Sequence, residues 1–198
     1  SPYGGNDDYK DDYTSRALWV NYLAGGSRVL PDKPGLNVPI DLAFALHSDA
    51  GKRADDSIVG TLGIYYTDNG ASYKDGTPRT NSRVLTDMVM RQITMDIRRS
   101  VEPQWKRRSM WDKSYVEARV PEVPTTLIEL LSHQNFGDSF FFIIVLREAL
   151  SPDILSISSL SILKYNSIPI VSINPDCSLP KISPAPLIAR SRIAILYP

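Results

Sequence analysis

One cysteine, no net charge and no long apolar run mark what this 198-residue chain does without. A lone Cys177 excludes an internal disulfide and any cysteine-rich zinc site. It leaves the compartment open, because many secreted bacterial proteins also lack disulfides. Lysine and arginine together number 22, as do aspartate and glutamate. That balance gives no basic face for nucleic acid and no electrostatic membrane anchor. No run of 18 or more apolar residues is present, so no membrane-spanning helix is expected; the densest stretch, Phe140 to Leu146, is far too short. The chain also begins without Met and without a basic region ahead of an apolar one, which predicts a mature or excised piece of a longer protein.

What is present fits one domain with a real core: 42% of residues are hydrophobic and 22% charged. Residues 1–13 are polar, acidic and glycine-containing and read as a linker or surface loop. A helix is expected from Thr14, with Thr14 or Ser15 as N-cap and Gly25-Gly26 as its stop. Ala17, Leu18, Val20, Tyr22 and Leu23 form its apolar side. Pro31 to Gly35 is a turn. The run Val38 to Leu46 predicts a strand buried on both faces that ends by presenting His47, followed by Ser48-Asp49-Ala50-Gly51. Ile58 to Thr67 predicts a second strand, closed by the turn Asp68-Asn69-Gly70.

The clearest helix runs from about Ser82 to Glu102, where Pro103 stops it. Val84, Leu85, Met88, Ile93, Ile97 and Val101 give its apolar stripe, with Arg91, Arg98 and Arg99 on the wet side. Trp105 to Lys113 is basic and aromatic, and Ser114 to Val120 predicts a short strand. Another apolar run, Val123 to Ile128, delivers Glu129 inside Leu130-Leu131, and Ser132 to Asp138 is the loop beyond it. Strands alternating with helices predict an α/β fold, a mixed or mainly parallel sheet flanked by helices. From 139 the composition changes: residues 139–198 hold three of the 22 acidic residues but seven of the 15 prolines. A shifted reading frame near Ser139 would produce such a change, and no fold is assigned to this tail.

His47 and Glu129 are the candidate chemistry. Zinc hydrolases hold the metal with about three protein ligands, leave a position for water, and use a separate carboxylate to take its proton. A carboxylate inside an apolar strand needs a partner or a function; the bland alternative is a salt bridge from Glu129 to Arg119 or Arg91. For His47 the bland alternative is a structural hydrogen bond. Asp49 is read as a group supporting His47 or as a cap on the next turn. His133 and Asn135, just past the strand end, are substrate contacts or ordinary loop residues. Trp105 to Arg108 with Trp111 is a glycan-stacking surface or a solvated basic loop.

Leu46-His47-Ser48-Asp49-Ala50 resembles the "S-[IL]-H-A-[ND]" strand end of the zinc-dependent N-acetylmuramoyl-L-alanine amidases. Val123 to His133 is similar to that family's "P-a-[VIL]-L-[VI]-E-x-G-F-[LI]-[ST]-N" motif. The intervening Gly63-Ile64-Tyr65-Tyr66 and the long helix fall in the family's order, and Ser15 to Leu23 resembles a segment of large bacterial envelope proteins often labelled xanthan lyase. The resemblance spans about residues 14–138. It implies that His47 is a zinc ligand and Glu129 the catalytic carboxylate, with Asp49, His133, Asn135 and Arg119 as supporting or substrate-binding residues. It further implies hydrolysis of the muramoyl-L-alanine amide of peptidoglycan, in the periplasm, outside the cell or on its surface. The family's "G-H-G-G" ligand and its helix-starting glutamate have no match here, and its "G-F" is Leu130-Leu131. The expectation is therefore the C-terminal half of an amidase domain, phosphorylase/hydrolase-like, with two zinc ligands expected upstream. Another zinc peptidase or deacylase, and a non-catalytic glycan-binding or structural module, are the rival readings.

Overall fold

The protein's structure, a computed structural model, describes residues 2, 4–141, 170–172 and 193–196. Asp7 opens the first helix, α1 (Asp8–Ala24), by accepting a hydrogen bond from the Lys10 backbone N–H at 3.0 Å. The loop expected over residues 1–13 is thus corrected: the helix begins six residues earlier than Thr14. The acidic residues that suggested a linker do the opposite, since Asp8 and Asp11 sit in the first turn, where negative charge complements the helix dipole. Gly25 ends the helix as expected. Ala17, Val20, Leu23 and Ala24 are buried, whereas Leu18 and Tyr22 face solvent.

The sheet is mixed and mostly parallel, in the order β3-β2-β4-β1-β6-β5. Its strands are β1 (Leu42–Asp49), β2 (Leu62–Tyr65), β3 (Trp111–Asp112), β4 (Thr125–Ser132), β5 (Ile170–Ser172) and β6 (Ile193–Leu196). β4 and β6 flank β1 in parallel, and β2 runs antiparallel to β4. This is the α/β architecture the sequence predicts. The tail expectation falls largely outside the described residues; the described parts of it, β5 and β6, are strands of this sheet. Two short helical elements join the pattern, a 3-10 turn at Asp68–Gly70 and α3 (Val116–Arg119), which replaces the strand expected over 114–120.

Alternation decides which layer covers which face. Ala43, Ala45, Leu62, Ile64 and Leu127 point toward α1 and pack with Val20, Leu23, Ala24 and Ile40 in one apolar cluster. On the other face α2 (Thr80–Ser100) lies over β2 and β4. Its buried residues are Ser82, Thr86, Met90 and Thr94, not the predicted stripe, and Val84 and Met88 are exposed. The reason is close approach. Gly63 on β2 has no side chain, and a Cβ there would overlap Met90 Sδ and Thr86 Cγ2. Small hydroxyl residues let the helix come this near. The Thr86 hydroxyl is satisfied in place: its Oγ1 donates to the Ser82 carbonyl and shares a hydrogen bond with Thr126 Oγ1, each at 2.8 Å, whereas Thr94 Oγ1 is buried with no partner among the described residues.

The second strand is also shorter than expected. Val59 and Gly60 donate their backbone N–H groups to Asp138 at 2.8 and 3.0 Å instead of to a neighbouring strand. Gly60 sits at φ 84°, a left-handed conformation that keeps the chain out of the ladder.

Candidate active site

His47 and Glu129 stand opposite each other in the parallel pairing of β1 and β4. Partners in register project to the same face of a sheet, so two residues from distant segments share one surface near the C-terminal ends of two parallel strands. That edge is where open α/β sheets place their sites. Immediately beyond, the register slips: Asp49 pairs with Ser132, giving β4 one more residue than β1. Such a bulge breaks the ladder and re-aims the side chains beside it. His47 lies inside β1, two residues before its end, rather than just past it.

The side chains around this pair come from three further segments. Glu117 on α3 places Oε2 2.8 Å from His47 Nε2, in ion-pair contact without hydrogen-bond alignment. Its Oε1 accepts from Arg16 Nε of α1 at 2.9 Å, and Arg16 also contacts Asp12. Arg108, just ahead of β3, donates to Asp49 Oδ2 at 2.7 Å and lies over the exposed Trp111 ring, 5.6 Å from its centroid. Asp49 Oδ1 accepts from the Ala50 N–H at 2.7 Å, so this carboxylate caps the turn and anchors Arg108 together.

Glu129 is the outlier. Its Oε2 is buried and has no hydrogen-bond partner among the described residues. Neither arginine offered by the bland reading reaches it. Arg91 pairs with Asp87 at 3.2 Å. Arg119 is exposed on α3, and its carbonyl accepts from Arg79 at 3.2 Å.

The two glutamates are pushed in opposite directions. Burial is the largest influence on Glu129 and raises its pKa; His47 and Arg108 pull it down, Asp49 and Glu117 push it up, and the net is a rise. Burial also opposes ionisation of Glu117, but His47 and Arg16 more than offset it, and its pKa is lowered. Asp49 behaves like Glu117: burial raises it, Arg108 and the Ala50 N–H lower it further, and the net is downward. An acid held charged beside an acid held toward neutrality is how enzymes separate structural carboxylates from proton-transferring ones.

The remaining predicted residues divide. His133 is close to the centre: its Nδ1 is 3.1 Å from Ser48 Oγ and its backbone N–H donates to the Asp49 carbonyl. Asn135 is not exposed to a substrate at all. It is fully buried and ties two loops together, accepting from the Arg53 N–H at 3.0 Å and donating to the Ser57 carbonyl at 3.1 Å. Of the predicted stacking surface, Trp105 is buried and donates Nε1–H to Thr61 Oγ1 at 2.9 Å, while Trp111 is open.

Glu117, Arg16 and Arg108 carry much of the site, and sequence reasoning passes over them. For Glu117 the one local hint is its place between Val116 and Ala118, an acid among apolar neighbours. As for zinc, no group of three His, Cys, Asp or Glu side chains is placed to hold a metal ion among the described residues. His47 supplies one donor of the right kind, but these residues do not by themselves fit a complete zinc site. No helix among them is long and apolar enough to cross a membrane. Set against models of known families, curated proteins and solved structures, the chain finds no match.

Proposed function

We propose that this chain carries the general-base side of an amide-hydrolysing centre, acting on the muramoyl-L-alanine amide of peptidoglycan in the bacterial envelope. The supporting observation is Glu129: a carboxylate in the C-terminal half of a parallel strand, facing His47, with a buried oxygen that no described residue satisfies. Leaving such a group unpaired costs stability, and a purely structural glutamate would be paired. A carboxylate whose pKa is raised is also a better proton acceptor near neutral pH.

In this reading Glu129 Oε2 takes a proton from the attacking water as the water oxygen bonds to the amide carbon. The C–N bond then breaks, and Glu129 returns the proton to the leaving nitrogen. The products are the muramic acid carboxylate and a peptide with a free L-alanine amino group. His47 is the residue proposed to serve the zinc implied by the family resemblance, with further ligands from outside the described residues. None of the proton transfers assigned to Glu129 passes through the metal.

A second reading has its own support. His47 Nε2 is already engaged by Glu117, and Trp111 presents an open ring beneath Arg108, as a glycan-binding module without catalysis would have. Digestion of purified peptidoglycan with added Zn²⁺ separates the two, with labelling of newly exposed amino groups. The expected result is release of L-alanine amino termini by the wild type and a loss of about 10²–10⁴-fold in Glu129→Gln. Equal rates in both proteins refute the role of Glu129. Retention on peptidoglycan with no release by either supports the binding module.

A further inference from the structure

His47 stands between two acids. Glu129 faces it across the β1–β4 ladder and Glu117 reaches it from α3. An imidazole so placed pairs with the carboxylate that is held within reach. Here Nε2 lies 2.8 Å from Glu117 Oε2, in close contact without hydrogen-bond alignment, while Glu129 Oε2 is left with no hydrogen-bond partner among the described residues. Glu117 is not at liberty to swing toward or away from the ring. Its other oxygen is fixed by Arg16 Nε at 2.9 Å, and Arg16 is fixed in turn by Asp12, one turn earlier on α1. The Glu117 side chain is 5% exposed and that of Arg16 15%.

We propose that Glu117, braced by Arg16, is a positioning residue that holds the His47 ring to itself and so keeps Glu129 Oε2 free to accept a proton. The inference rests on the general-base reading of Glu129. A simple fastening of α1 to α3 needs the Arg16–Glu117 link alone. It does not call for the second carboxylate oxygen to be aimed at an imidazole on the neighbouring strand. When the Glu117 charge is removed, Glu129 is the acid left facing the ring. His47 then closes on Glu129, and the oxygen that takes the proton is covered.

The test compares crystal structures and peptidoglycan turnover of the full chain as wild type, Glu117→Gln, Arg16→Met and Glu129→Gln. Gln has the shape of Glu, so Glu117→Gln isolates the charge. In it, His47 Nε2 is expected to move to Glu129, with kcat reduced at least about tenfold and KM within about twofold. Arg16→Met removes the brace but keeps the Glu117 charge, so it should lower the melting temperature, loosen the His47–Glu117 contact and reduce kcat less than Glu117→Gln does; a wild-type kcat with the contact unchanged overturns the bracing. The ring position is read in the crystal whatever the turnover. His47 unmoved in Glu117→Gln, with wild-type kcat there and an inactive Glu129→Gln, overturns the positioning role while leaving the general base standing. Wild-type turnover in Glu129→Gln removes the general base instead, and the positioning role falls with it. Should Glu117→Gln fail to fold, Glu117→Asp keeps the charge one methylene short; an intermediate kcat supports the proposal and a wild-type kcat overturns it.

Discussion

Removal of a single buried carboxylate, Asp138, should loosen the edge of the sheet on which the site stands. Asp138 is fully buried and accepts three backbone N–H groups: Val59 at 2.8 Å on Oδ1, and Gly60 at 3.0 Å and Ser132 at 2.9 Å on Oδ2. In Asp138→Ala all three donors lose their acceptor. Hydrogen bonds to a charged group contribute about 1.5–3 kcal/mol each. The full sum overstates the loss, because water enters the vacated volume and serves some of the donors. A destabilisation of about 3–4 kcal/mol is the expected outcome, in the upper range for single substitutions. For a chain of this length that corresponds to a fall of roughly 6–16 °C in melting temperature. Urea unfolding followed by circular dichroism measures it, with the midpoint shifting and the slope unchanged. Ser132 closes β4 three residues after Glu129, so hydrogen exchange should rise first at Ser132 and at Val59–Gly60. A loss below about 1 kcal/mol would show that these N–H groups do not depend on Asp138 and would refute the reasoning.

The opposite shifts of the two glutamates predict opposite pH dependences. Glu129 has a folded pKa above its ordinary value of 4.5, so it contributes stability at low pH that is lost as pH rises through the raised value. Glu129→Gln should therefore be more stable than the wild type near pH 7, and the advantage should vanish below pH 4.5; melting curves from pH 3 to 8 decide it. Glu117, lowered from 4.5, contributes stability above that value and loses it as pH falls, so the same curves for Glu117→Gln should show the reverse trend. Gly63→Ala tests the close approach of α2: the new methyl group overlaps Met90 and Thr86 and should cost about 1–3 kcal/mol by overpacking, with no loss in urea midpoint counting against it.

The strands that carry His47 and Glu129 are legible in the sequence because their apolar runs are dense and bounded by proline and glycine. Their mutual placement is not, since register belongs to the folded sheet. Glu117 illustrates the limit more sharply. Its partners lie at positions 16 and 47, and four residues of helix leave no periodicity to detect. The buried face of α2 departs from the apolar stripe for a different reason. Hydropathy favours Val84 and Met88, but the residues that close over the bare backbone of Gly63 are Thr86 and Met90, and geometry prevails over apolarity. The capping role of Asp7 is hidden in the sequence because an acidic, glycine-containing segment has the composition of a linker, and only the Lys10 N–H it accepts reveals a helix start.

The placement of β1 has a kinetic consequence. Both of its neighbours come much later in the chain: Leu42 pairs with Ile193, about 150 positions on, and Ala43 with Thr125, about 80 positions on. Parallel pairing over such separations closes large loops before any contact compensates for the lost chain entropy, and it is correspondingly slow. During synthesis the histidine strand therefore emerges with both hydrogen-bonding edges open, and it stays so until β4 is made. An unpaired apolar strand is prone to join another chain. The residues that bring His47 and Glu129 together thus also set the interval in which a newborn chain is most exposed to misassembly.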